Sequence, residues 1–272
     1  MTEGTTIPAR PLSVPVGRLG AFTESGCKAV GHMGGGCPVT EQQVIAKLQD
    51  FVNGMVKDKA VPRVLEAGCG SSSHLRFEKE VFMVGIDISE KQLQRNSRLN
   101  ERILGDIQYY DFQPSSFDVI VCWDVLEHLR KPELSLQRFA SAARENGIVV
   151  LKAPNVCSLK GLVTKCVPYA FHVLSYRYFH ASKKTAQVEM TPFKTYLKFS
   201  AAPAALRKYA AAYGLRVVYF DTYDVLTANW LERKKTAHAV YKMLRKFCEL
   251  LSFGKLNDSE FVIVLQKAAT AS

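Results

Sequence analysis

The chain reads as an α/β protein built on a doubly wound, mostly parallel sheet. Two observations predict it. Short apolar runs alternate with amphipathic stretches of helical period, the pattern of a sheet covered on both faces. The first buried run, Val64-Leu65, passes through Glu66 into Gly68-x-Gly70 and then Ser71 to Ser73. That order is a strand, a turn that residues without a Cβ make easily, and hydroxyls where a helix should open. Such a crevice lets a nucleotide-like ligand approach the backbone closely.

Residues 1–38 are dense in Gly and Pro, with Gly31-His-Met-Gly-Gly-Gly-Cys-Pro38 at their end, and are expected to form a flexible leader or flap. Cys27, His32 and Cys37 match no common zinc spacing. Residues 39–272 form the main domain. Thr40 and Gln43 stand as a capping box requires, and Val44, Leu48, Phe51, Val52 and Met55 recur at helical spacing, so 40–56 is a helix. Strands are expected at 63–67, 81–87, 103–107, 117–122 and 147–152, and helices at about 72–80, 89–99 and 132–145. Ser89-x-x-Gln92 opens the second of these helices with a capping signature. Between 155 and 200 the alternation breaks into apolar, aromatic and basic sequence. A helix over 201–214 stops at Gly214, and 215–220 is a strand. Residues 229–251 read as a long basic amphipathic helix, and 260–266 as a closing strand, the seventh.

Four strand ends then carry chemistry in order. Glu66-x-Gly68-x-Gly70 ends the first. Val81-Phe-Met-Val-Gly-Ile-Asp87 ends the second in an acid about twenty residues on, where a carboxylate can take both ribose hydroxyls. Leu104-Gly-Asp106-Ile107 ends the third, and Phe117-Asp-Val-Ile-Val-Cys-Trp-Asp-Val-Leu-Glu-His128 carries the fourth. This set resembles the class I S-adenosylmethionine-dependent methyltransferases, in particular the ubiquinone-biosynthesis-like small-molecule group with Leu-Glu-His after strand four. The likeness spans roughly 60–155.

The resemblance implies a seven-stranded Rossmann-like methyltransferase fold with an antiparallel last strand and a helical cap inserted after strand five, at about 155–200. It implies S-adenosyl-L-methionine as cofactor and S-adenosyl-L-homocysteine as product. Glu66, Gly68 and Gly70 would line the methionine end, with Glu66 acting on the ammonium. Asp87 would take the ribose, with Ile88 on the adenine. Asp106 would accept from the adenine amino group, with Ile107 beside it, and Cys122 would offer its carbonyl to the ammonium. The acceptor side stays open. In the ubiquinone O-methyltransferases a stretch similar to Asp124-x-x-Glu127-His128 is associated with a divalent metal. His128 could instead be a general base, since its ordinary pKa suits that role, or only cap the next helix. No metal is assigned. His172 and His180, in the aromatic stretch, are second candidates for acceptor contact or base.

Charge is uneven. Residues 151–272 hold 19 basic and 7 acidic groups, net +12 of the chain's +11, the rest being net −1. A solvated lysine-rich surface accounts for that, as would an anionic substrate or peripheral membrane contact through this half. A nucleic-acid methyltransferase is an alternative, but neither an RNA-binding module nor a strand-four motif for flipped bases is present, so no nucleic-acid partner is expected. A NAD-dependent oxidoreductase is disfavoured by Ser73, which stands where that turn has its third small residue. A protein that binds the sulfonium without transferring its methyl is the remaining alternative. A small-molecule acceptor, O-methylated and aromatic or lipid-like, is the leading expectation. Seven cysteines without a Cys-x-x-Cys pair, and no secretory or spanning segment, favour a reducing, cytoplasmic setting. Oligomeric state is not legible.

Overall fold

The computed structural model describes residues 40–158, 161, 195–225, 239, 243, 246 and 258–269. The expected leader (1–38), most of the cap insert, and the basic helix at 229–251 except three isolated residues lie outside them. The described elements run α1 (Glu41–Val56), β1 (Arg63–Ala67), β2 (Phe82–Asp87), α2 (Glu90–Arg95), β3 (Glu101–Leu104), β4 (Phe117–Trp123), α3 (Pro132–Ala142), β5 (Ala143–Pro154), α4 (Pro203–Ala212), β6 (Leu215–Tyr223) and β7 (Glu260–Lys267).

All seven expected strands form one sheet, in the order β3-β2-β1-β4-β5-β7-β6. The first five pair in parallel, and β7 runs antiparallel between β5 and β6. Their apolar runs let β4 and β7 bury almost every residue, as strands packed on both faces must. On one face α1 lays Val44, Leu48, Val52 and Val56 against Val64, Val119 and Val264. On the other, Leu136 and Phe139 of α3 and Leu206 of α4 cover Leu65, Ile120 and Phe261. The α1 capping box forms as expected, Thr40 and Gln43 each bonding the other's backbone amide.

Two helices depart from expectation. Residues 72–80 are not helical. The stretch has too few apolar residues to make a stripe of its own, and α1 already covers that face of the sheet, with Leu75 inserted beside it. Its backbone groups are satisfied by side chains instead: Gln49 accepts from Arg76 N at 2.8 Å and donates to Arg76 O, and Arg98 donates to Leu75 O at 3.0 Å. The helix expected over 89–99 ends at Arg95, and Ser89 makes no side-chain cap. Arg102 captures the released carbonyls of Leu93 and Asn96, at 3.0 and 2.9 Å, and Asn100 accepts from Met83 N at 2.7 Å, turning the chain early into β3. Smaller shifts follow. The third strand is Glu101–Leu104 rather than 103–107, leaving Asp106 and Ile107 in the loop beyond it. Helix α3 stops at Ala142 because Ala143 already pairs with Phe117, and Asn146, at φ +59, carries the chain past an irregular step into the rest of β5. Gly214, at φ +72, ends the helix before β6 as expected.

At the end of the sheet away from the glycine turn, Asp118 is a charged anchor. It is buried and binds Lys59 at 2.8 Å, Arg144 at 2.7 Å and the Arg63 amide at 2.9 Å, joining the starts of β1, β4 and β5. Burial alone would raise its carboxyl; Lys59, the Arg63 amide and Arg144 outweigh that and hold it below the ordinary value of 3.8. A depressed folded pKa adds stability above the unfolded value that is lost as pH falls through the folded one. Asp118→Asn is expected to lower the unfolding free energy in urea by about 1–3 kcal/mol at neutral pH. The gap from the native chain should close in acid below pH 3.8. Equal stability at neutral pH contradicts the anchor.

Candidate functional site

The glycine turn is built by backbone geometry. Gly68 has φ +75, and a Cβ there would sit 2.5 Å from Val125 Cγ2. Its amide and that of Cys69 both donate to Ile86 O, at 2.8 and 3.1 Å. Gly70, at φ +53, donates its amide to Asp87 Oδ2 at 2.9 Å, while Asp87 Oδ1 accepts from Ser89 N at 2.8 Å. The tips of β1 and β2 are therefore tied to each other through Asp87, whose free lone pairs remain for further donors.

Glu66 is 2 % exposed on β1, just before this turn. Its Oε1 accepts from His74 N at 3.1 Å, and its buried Oε2 has no hydrogen-bond partner. Burial raises its carboxyl, only partly offset by Ser73, His74 and Arg98. A buried carboxylate oxygen left without a partner costs free energy unless a donor arrives. The His74 ring stacks on Trp123 at 5.4 Å, and burial lowers its pKa from the ordinary 6.5.

The other expected cofactor residues are placed less simply. Ile88 is 63 % exposed at the tip of β2, available to pack on a flat ring. Asp106 organises its own loop: its Oδ1 accepts from Gln108 N at 2.8 Å, and both carboxylate oxygens lie 3.1 Å from Gln108 Nε2. Ile107 is buried in the core, and so is the Cys122 side chain, one residue past the last β1–β4 pair, Glu66 with Val121. The structure thus gathers Glu66, Gly68, Gly70 and Asp87 at one pair of strand tips, with Asp106 at the next strand's end.

Asp124, Glu127 and His128, expected on the acceptor side, lie with Lys152 and Glu260 at the tips of β4, β5 and β7. Leu126–His128 forms a single 3-10 turn directly after β4. Asp124, at φ +53, turns its carboxylate onto Lys152 Nζ at 2.5 Å, and Glu260 lies 3.2 Å from the same ammonium. Burial alone would lower the Lys152 pKa, but Glu260 and Asp124 carry it upward, so it stays charged. A cavity of about 380 Å3 opens here, lined by Asp124, Glu127, His128, Lys152, Leu197 and Glu260 among others. Glu127 is 7 % exposed; its Oε2 is buried without a hydrogen-bond partner, and its backbone carbonyl accepts from Tyr196 N and Leu197 N. Burial and the neighbouring Asp124 push its carboxyl up to about 8. Among the described residues no group of three or more His, Cys, Asp or Glu converges to hold a metal. His172 and His180 lie outside the described residues.

Sequence reading passed over Lys152 and Glu260. The available signal was a lysine set into the apolar run Ile148-Val-Val-Leu-Lys152, where a charge without a partner would be costly. A carboxyl whose pKa rises on folding prefers its protonated form in the fold, so it subtracts stability as pH rises from 4.5 toward about 8. Glu127→Gln cannot ionise. Its unfolding free energy should fall less across that window than the native chain's; parallel curves would contradict a buried, proton-holding Glu127.

Comparison with known proteins bears on the family of the chain. The family profile described as "Methyltransferase domain" matches residues 40–219, more than half of the chain. A ubiquinone biosynthesis O-methyltransferase of Neisseria meningitidis serogroup C is 28 % identical over 119 residues, 39 % of this chain and 49 % of that protein. One from Azoarcus sp. (strain BH72) is 26 % identical over 179 residues, 61 % of this chain and 70 % of that protein. The chain spans about half the length of the first curated relatives it matches. In fold it is similar to the YcgJ protein from Bacillus subtilis, with TM-score 0.50, 14 % identity, and 83 % and 100 % of the two chains covered. The cyclase SpnF gives TM-score 0.50 at 12 % identity over 84 % and 82 %. The residues at the strand tips fit the cofactor of such proteins, since the orphaned Glu66 Oε2 awaits a donor beside the glycine turn. The chain belongs to the methyltransferase domain family, for which S-adenosylmethionine is the cofactor.

Proposed function

We propose that the chain transfers a methyl group from S-adenosylmethionine to an oxygen of a small-molecule acceptor, aromatic or lipid-like. The observation that carries this is the pairing of a two-glycine turn, locked onto Asp87, with the buried Glu66 whose Oε2 lacks a partner. An ammonium is the donor that satisfies such an oxygen most strongly. Asp87, already fixed by two amides, has the rigidity and remaining lone pairs to accept from two ribose hydroxyls. Oxygen as the target is supported by those relatives that are named as ubiquinone biosynthesis O-methyltransferases, and by one named as a 27-O-demethylrifamycin SV methyltransferase. The aromatic sequence between 155 and 200 supports the class of acceptor.

When bound, the cofactor supplies a methyl group already activated on a positive sulfur. What is left for the protein is placement and removal of one proton. Glu66 would hold the donor's ammonium and Asp87 its ribose hydroxyls, and Gly68 and Gly70 would keep side chains out of its path. His128, in the turn after β4 and lining the cavity there, would take the proton that the acceptor hydroxyl loses as its oxygen bonds to the methyl carbon and that carbon's bond to sulfur breaks, S-adenosylhomocysteine leaving uncharged at sulfur. No metal is assigned a part.

Calorimetric titration with S-adenosylhomocysteine tests the donor side: the native chain should bind it and not NAD, and Asp87→Ala should abolish binding. NAD binding without S-adenosylhomocysteine binding contradicts the proposal. His128→Gln should bind the product normally yet turn over about a hundredfold more slowly. A chelator should leave turnover unchanged; loss restored by magnesium would contradict the metal-free route.

A further inference from the structure

The two stretches that depart from their expected helices border one cavity. Residues 72–80 run without a helix and α2 stops at Arg95, so space stays open between them. It measures about 340 Å3, within the range of sites for small organic ligands. Arg76, Arg98, Asn96 and Ser71 to Ser73 line it, whereas Glu66, Gly68, Gly70 and Asp87 do not. From Ser71, next to the glycine turn, it extends back along β2. Ser73 Oγ reaches Met83 Sδ at 3.2 Å, and Met83 precedes Asp87 by four residues, about 13 Å along the strand.

The wall is made of hydrogen-bond donors. Arg76 is held by its backbone: its amide donates to Gln49 Oε1 at 2.8 Å, and its carbonyl accepts from Gln49 and, at 3.5 Å, from Asn53. Among the described residues its guanidinium keeps all five N–H groups to give. Arg98 gives Nη1 to Leu75 O at 3.0 Å, which anchors the group and leaves its other N–H groups. Asn96 is 1 % exposed; its Oδ1 accepts from Arg98 N at 3.2 Å, and its buried Nδ2 has no hydrogen-bond partner. A buried donor left unmatched costs free energy that an entering acceptor recovers. Ser71 and Ser72 are exposed and add hydroxyls.

This set selects its ligand. Two guanidinium groups, with no acid among the described lining residues, favour an anion. Glu66 is close enough for Arg98 to draw its carboxyl downward, yet it does not line the cavity. A carboxylate offers two oxygens and one charge. A phosphate group offers three oxygens and more charge, and arginine grips it in a bidentate fork.

We propose that the cavity between residues 71–76 and the end of α2 binds a phosphate group, held by Arg76 and Arg98 with Asn96 and the serine hydroxyls as further donors, at a site separate from that of the methyl donor.

The full chain is titrated calorimetrically with inorganic phosphate, glycerol 3-phosphate, acetate and glycerol, with and without saturating S-adenosylhomocysteine. Both phosphates should bind, acetate at least about tenfold more weakly, and glycerol not at all. Tighter binding of the ester assigns the site to a phosphorylated metabolite; an ester no tighter than the ion assigns it to free phosphate; both outcomes support the inference. Arg76→Gln should fold normally, because only its backbone is bonded, and should weaken phosphate binding about tenfold. Lys208→Gln removes the same charge from the exposed side of α4, on the other face of the sheet, and should leave phosphate binding unchanged. No binding of either phosphate, acetate as tight as phosphate, an unchanged affinity in Arg76→Gln or an equal loss in Lys208→Gln overturns the site. Displacement of phosphate by S-adenosylhomocysteine overturns its separation from the methyl donor.

Discussion

The hydrogen bond from Gly70 N to Asp87 Oδ2 is the constraint on which the donor side depends. It fastens the loop after β1 to the tip of β2, and with Gly68 N and Cys69 N both on Ile86 O it sets where the turn can lie. Everything near it is consequent. Gly68 must be glycine because its conformation is left-handed and Val125 fills the place of a side chain. Glu66 is carried to the back of the turn by a parallel strand paired on both sides, at Gly85 and Val121, and cannot turn out to water. The sheet thus keeps an acid buried beside the turn with one carboxylate oxygen, Oε2, lacking a hydrogen-bond partner.

A second buried charge system faces it from the tips of β4, β5 and β7. There the protein brings its own cation, Lys152, and clamps it between Asp124 and Glu260. The left-handed backbone of Asp124 aims its carboxylate, a strained conformation that Asp tolerates better than most residues. At the other end of the sheet Asp118 reverses the arrangement, one buried acid held by two cations. The first charge cluster borders a cavity with an unpaired Glu127 oxygen; the second is saturated. That contrast separates a site from an anchor.

Much of the fold and of the glycine turn was legible in sequence because its parts are local. Glycines at fixed spacing, an acid at a strand end and apolar runs each leave a short-range signature, and the seven strands and the α1 capping box followed from them. What was not legible depends on distant partners. Lys152 and Glu260 are 108 positions apart and meet only because β7 inserts beside β5. The helix expected at 72–80 failed because Gln49 and Arg98, remote in sequence, took over its backbone bonds. The helix from Ser89 stopped short because Arg102 captured its last carbonyls. The Asp106 carboxylate is shared with Gln108, two residues on, a pairing that a strand-end acid does not announce.

A crystal structure of the chain with S-adenosylhomocysteine tests the whole arrangement most directly. The ligand's ammonium should lie within hydrogen-bonding reach of Glu66 and its ribose hydroxyls on Asp87, with the sulfur facing the cavity beside Glu127. A ligand bound away from the glycine turn, or Glu66 and Asp87 opening into separate cavities, would contradict it.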